Sequence, residues 1–190
     1  MTIGYSCCLL LLTCRSIKRQ QWCTDTMTME MITDVKYRFV IQGRPTTKKN
    51  SLQKTRYGLI QSKAYREYAD SAIWQLKGQI RPKKPIDCAV TMTATYYMPN
   101  RKGWPDLFGL VQATADILES AGIIEDDGYI AETDGSMIAG IDKENPRAII
   151  EISEITDVKY PLYKLHPKLN KKLSNGDFER FKDIREEGEQ

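Results

Sequence analysis

The chain has 190 residues, 28% charged and 41% hydrophobic, with a formal net charge of +3, the profile of an ordinary globular domain long enough to bury a core. Its only histidine is His166, and four of its five cysteines (Cys7, Cys8, Cys14 and Cys23, with Cys88 the fifth) lie in the first 23 residues, which argues against Ser-His or Cys-His catalysis and against a zinc site. The charge is unevenly spread: 15 Lys/Arg stand against 3 acids from Lys36 to Lys102, and 13 Asp/Glu against 2 bases from Gly103 to Asp157. Such an asymmetry points to polyanion binding beside an acidic pocket, because phosphates and divalent metals need opposite charges.

Near the start, "GYSCCLLLLTC" is apolar but too short to span a bilayer. It lacks the basic flank and small-residue cleavage site of a signal peptide. Met27, Met29 and Met31 come just before the first strand pattern. Residues 1–33 are therefore expected to be a disordered leader or an over-extended start. The protein is assigned to the cytoplasm, with no membrane association.

"VKYRFVIQG" alternates and is rich in β-branched and aromatic residues, which predicts a strand ending at Gly43. "RPTTKKNSLQKTRYG" reads as a basic, turn-rich loop. Ser62 is placed to cap a helix running to about Lys77, with Tyr65, Tyr68, Ala69, Ala72, Ile73 and Leu76 at helical spacing. "RPKKP" breaks the chain, and "IDCAVTMTATYYMP" predicts a long strand from its alternation of Ile86, Cys88, Val90 and Met92.

After the loop "NRKGW", Pro105 and Asp106 open a second helix with an inward stripe of Leu107, Leu110, Val111, Thr114, Ile117, Leu118 and Ala121, stopped by Gly122. Two more strands are expected around Tyr129–Ile141 and Arg147–Ile152, joined by the turn "DKENP". The order β-α-β-α-β-β describes an α+β or mixed α/β domain over residues 34–157, a mixed sheet packed by helices. Residues 158–190 are highly charged with few large apolar side chains, and are expected to form a mobile or marginally helical tail.

The carboxylates Asp106, Glu125, Asp126 and Asp127 bracket the second helix. A helix of about 16 residues is about 24 Å long, so its ends share a metal only if the chain folds back. Asp106 also reads as a helix cap favoured by the macrodipole, and "EDDG" as a solvated turn.

"PDLFGLVQATADILESAGIIEDD" resembles the central motif of the RusA family of Holliday junction resolvases, roughly D-L-D-N-L-x-K-A-x-x-D-A-L followed by D-D. "VIQGRPTTKKNS" resembles that family's first strand and basic loop, and "DGSMIAGIDKENPRAIIEI" its closing strands. The likeness covers about residues 36–153. It implies a RusA-like nuclease domain that acts as a homodimer, resolving four-way branched double-stranded DNA with Mg²⁺ held by aspartates. Asp106 matches the first motif aspartate and Asp127 the second of the D-D pair, which makes both the catalytic metal ligands. Asp116 matches the helix acid and is read as structural.

Three motif positions depart from the pattern: Phe108 stands for the second aspartate, Gly109 for the asparagine and Gln112 for the lysine. Phe108 and Gln112 lie four apart on one helix face, so an acid and a base vanish together. Asp126 and Asp134 are the candidates to restore a metal carboxylate. Asp134 requires a bulge, for which Gly135 is the candidate, to share a face with Asp127; it reads equally as an Asp-Gly turn. Lys48, Lys49, Lys54, Arg56, Lys83, Lys84, Arg101 and Lys102 are the expected phosphate contacts, and Trp104 either stacks at the branch point or closes the core edge. The resemblance thus implies a Mg²⁺-dependent endodeoxyribonuclease. The alternative is a non-catalytic, structure-specific DNA-binding protein of the same fold.

Overall fold

The structure is a computed structural model that describes residues 37–48, 52–56 and 58–178. The expected leader at 1–33, Lys49 and the last residues of the tail lie outside the described residues. Strand β1 (Tyr37–Gln42) is followed by a short hairpin of β2 (Leu52–Thr55) and β3 (Gly58–Gln61), where only a loop was expected. Helix α1 (Lys63–Gly78) starts at Ser62, whose hydroxyl accepts from the Tyr65 backbone N–H at 3.2 Å, as its capping residue type predicts. Its apolar stripe buries Tyr65, Ala72 and Leu76.

Strand β4 (Val90–Met98) is the longest and organises the sheet. Val90, Met92, Ala94, Tyr96 and Met98 are all buried while the residues between them are half-buried, the period-2 signature of a strand packed on one face. Helix α2 (Leu107–Ser120) follows, and Gly122 ends it at φ +71°. The Gly122 N–H donates to Glu119 O and the Ile123 N–H to Leu118 O, a Schellman closure that satisfies the last carbonyls.

After a single 3-10 turn (Asp127–Tyr129) come β5 (Ile130–Glu132), β6 (Met137–Ile141) and β7 (Arg147–Glu154). The sheet runs β1-β7-β4-β5, with β6 also on β4; β1, β7 and β4 are antiparallel neighbours, and β5 and β6 lie parallel to β4. This is the α+β, mixed-sheet class expected. The single strand expected over Tyr129–Ile141 is instead two, separated by a turn at Thr133–Ser136 where Gly135 adopts φ +76°. Asp134 sits in that turn rather than at a bulge.

The chain beyond 157 differs from the expected mobile or marginally helical tail. Helices α3 (Pro161–Leu165) and α4 (Pro167–Ser174) pack onto the domain, and Tyr163, Leu169 and Phe178 are buried members of its core. The two aromatic rings each bury a large area, and Val158, Tyr160, Leu162 and Leu173 pack partly buried against the same core. Their low density within a charged segment hides them from a compositional reading.

Candidate active site

Asp106 occupies the N-cap of α2, and its Oδ1 accepts from the Gly109 backbone N–H at 2.6 Å. The carboxylate is exposed to solvent and satisfies one of the free N–H groups of the first turn. A Cβ on Gly109 would stand 2.8 and 2.9 Å from the two Asp106 oxygens. A side chain at this position, where the family pattern has asparagine, would need the exposed Asp106 carboxylate to shift slightly, which the free end of that side chain allows.

Alanine at 109 gains about 1 kcal/mol of helix propensity over glycine, and the Asp106 cap survives a slight shift of its carboxylate. Gly109→Ala should therefore raise stability by up to about 1 kcal/mol. Asp106→Ala should cost about 1 kcal/mol in the wild-type chain and a similar amount in the Gly109→Ala background. A double-mutant cycle by denaturant unfolding checks this; a cost that vanishes in the Gly109→Ala background contradicts it.

Phe108 and Gln112, one turn apart on the outer face of α2, are both exposed, Phe108 by 83%. No core contact accounts for a phenyl ring there. Trp104 is half exposed and lines an open cavity of about 550 Å³ with Arg101, Gly140 and Ile141.

The chain does fold back after α2, but the strand register decides what reaches each end of β4. Ile124 bridges to Ile86, Ile130 pairs with Val90, and Ile141 pairs with Met98. Asp127 thus lies on the side where β4 begins, whereas Asp106 follows the loop that leaves the end of β4. Asp127 comes instead toward Lys48, whose Nζ pairs with Asp116 Oδ2 at 2.8 Å. The hydrogen-bonded Asp116 carboxylate holds the Lys48 ammonium above its ordinary range, against the opposing effect of burial, and the Asp127 charge adds to it. Asp116, read from the sequence as structural only, is therefore tied to a predicted phosphate contact 68 residues away.

Asp126 accepts from the Gly128 N–H at 2.9 Å, capping the 3-10 turn, and forms an ion pair with Lys168. The Lys168 ammonium keeps its carboxyl below the usual aspartate range. Asp134 is exposed, and its backbone carbonyl accepts from Thr93 Oγ1 at 2.9 Å. Among the predicted phosphate contacts, Arg56, Lys83, Lys84, Arg101 and Lys102 are exposed and Lys54 lies on β2. Arg44, unremarked in the sequence, donates to Lys102 O at 2.7 Å and joins two of the basic loops.

Among the described residues, no group of three or more His, Cys, Asp or Glu side chains is placed to hold a metal ion. The exposed oxygens of Asp106 and Asp127 are hard donors. One or two carboxylates suit Mg²⁺, which retains several of its waters. No helix among the described residues is long and apolar enough to cross a membrane.

The family model described as endodeoxyribonuclease RusA matches residues 42–153, more than half of the chain. The match runs from the end of β1 to β7 and includes both flanks of α2. No individual curated protein matches the chain.

Proposed function

Because this chain belongs to the RusA endodeoxyribonuclease family, we propose that it is a Mg²⁺-dependent endonuclease that resolves four-way DNA junctions in recombination and repair. The observation that carries this reading is the family match from the end of β1 to β7, which includes both ends of α2. Asp106 and Asp127 are the proposed catalytic residues and metal ligands on their match to the family motif rather than on proximity, since the strand register sets them toward opposite ends of β4; Asp126 and Asp134 are the subsidiary carboxylates. Mg²⁺ supplies, when bound, activation of the attacking water and neutralisation of charge on the phosphoryl group.

The chain's own side chains bind and orient the DNA. Arg56, Lys83, Lys84, Arg101 and Lys102 are exposed cations suited to phosphates. Lys48, Lys49 and Lys54 complete the proposed set. Trp104, half exposed beside Arg101, is suited to stack on a base at the branch point. The protein acts in the cytoplasm as a homodimer, whose two-fold symmetry matches the two strands to be cut at a junction.

The test is cleavage of a synthetic four-way junction with Mg²⁺ and with EDTA, alongside binding over a salt series. Nicking with Mg²⁺ alone is expected, and affinity should fall steeply with salt, with a log–log slope approaching about −7 if all eight basic residues contact phosphates. Tight junction binding without nicking at any Mg²⁺ concentration would overturn the nuclease reading in favour of a DNA-binding protein of the same fold.

The two altered motif positions give a second expectation. Phe108 and Gln112 are exposed, so Phe108→Asp with Gln112→Lys should change stability by no more than about 0.5 kcal/mol. The added carboxylate should tighten the Mg²⁺ dependence of cleavage by about ten- to a hundredfold, the range for groups tuning a metal site. Titrating cleavage against Mg²⁺ in both proteins measures it, and an unchanged midpoint contradicts it.

A further inference from the structure

Residues after 153 lie outside the family match, yet α4 reaches the acidic turn that carries Asp127. Glu125, Asp126 and Asp127 are three consecutive carboxylates, which repel one another in a short turn. Helix α4 brings an ammonium group to each of the first two: Lys172 pairs with Glu125 and Lys168 with Asp126. Lys172 also lies 3.9 Å from the Asp87 carboxylate and donates to the Asp87 carbonyl at 3.3 Å. The same nitrogen stands 5.4 Å from the centre of the Tyr129 ring, which His166 meets edge-on with centroids 5.3 Å apart. Asp127 alone of the three acids forms no salt bridge among the described residues.

These lysines are presented by an anchored element. Leu169 of α4 is fully buried, Tyr163 and Phe178 are buried on either side of it, and the Tyr163 hydroxyl donates to Ile155 O. A single exposed ion pair contributes little, and Lys168 is 62% exposed. Here two pairs and ring contacts converge on one turn from one helix anchored by the buried Leu169, so their ordering cost is largely met by the packing of α4.

We infer that α4 is a positioning element for the acidic turn: Lys168 and Lys172 hold Asp126 and Glu125 in place and leave Asp127, which forms no salt bridge among the described residues, as the carboxylate presented for reaction. What Asp127 does there rests on the nuclease reading; how the turn is held does not.

The test compares the full chain carrying Lys168→Met with Lys172→Met against Lys168→Arg with Lys172→Arg. Hydrogen exchange is followed in peptides covering 123–131, with β4 and β7 peptides as controls on the fold. The Met pair should exchange the turn amides about tenfold faster or more, with unchanged controls, and the Arg pair should exchange like wild type. Junction cleavage by the Met pair should fall in kcat at unchanged junction affinity. Turn exchange unchanged in the Met pair overturns the inference, and a lower junction affinity with unchanged exchange assigns the lysines to DNA contact instead. Should the controls also accelerate, Lys168→Gln alone, whose side chain is mostly exposed, carries the same comparison. If wild type cleaves no junction, the nuclease reading fails while the exchange result still decides the role of α4.

Discussion

Phe178→Ala should destabilise the fold by about 3–5 kcal/mol, equivalent to a fall of roughly 6–20 °C in thermal midpoint for a domain of this size. Phe178 is 1% exposed and packs edge-on against the fully buried Tyr163, with ring centroids 5.0 Å apart and planes at 73°. Removing the ring discards its transfer free energy and leaves a cavity that the surrounding β-sheet core cannot easily fill. A residue in a mobile tail would change stability by no more than about 0.5 kcal/mol on the same substitution, so the two descriptions of this segment differ severalfold. Chemical denaturation of the two proteins, read by circular dichroism, measures the difference. The same packing predicts that a chain ending at residue 157 loses most of its stability, because Tyr163, Leu169 and Phe178 leave the core together.

The elements that were legible in the sequence carry their own local signals. Ser62 and Asp106 are oxygen-bearing caps, Gly122 supplies the positive φ that a Schellman closure demands, and the stripes of α1 and α2 repeat at helical spacing. β4 alternates without a break over nine residues. The hairpin of β2 and β3 was not legible, because its two four-residue strands lie in a basic, turn-rich stretch. The C-terminal helices escaped for a different reason. Their fully buried side chains, Tyr163, Leu169 and Phe178, are spread over sixteen residues of largely polar and charged sequence, with Val158, Tyr160, Leu162 and Leu173 packed at the edge of the core.

At the candidate site, the individual acids could be picked out but not their neighbours. Capping of α2 by Asp106 follows from residue type and position. The pairing of Lys48 with Asp116 spans 68 residues, and those of Lys168 and Lys172 with the acidic turn span 42 and 47. Such contacts are set by how the helices pack over the sheet, which no local pattern encodes. Fold-back of the chain after α2 was anticipated as the condition for joining Asp106 to Asp127. The register instead brings β6 to the end of β4 and leaves Asp127 near its start. The same register places Asp127 where α4 and Lys48 act on its surroundings.

Asp127→Asn is the substitution with the largest expected effect on function. Asn keeps the size of the side chain and removes its charge, and Asp127 is exposed, so stability should change by no more than about 0.5 kcal/mol. As a proposed ligand of the Mg²⁺ that would offset charge at the scissile phosphate, its loss should lower junction cleavage by about 10²-fold or more. Junction affinity should hold or rise slightly, because a negative charge near phosphates is gone. The decisive measurement is single-turnover cleavage of a four-way junction in Mg²⁺ by wild type, Asp127→Asn and Asp106→Asn, with binding measured in parallel. Cleavage by wild type, its loss in both variants and retained binding are the predicted result; cleavage that survives both substitutions contradicts the assignment of these two aspartates.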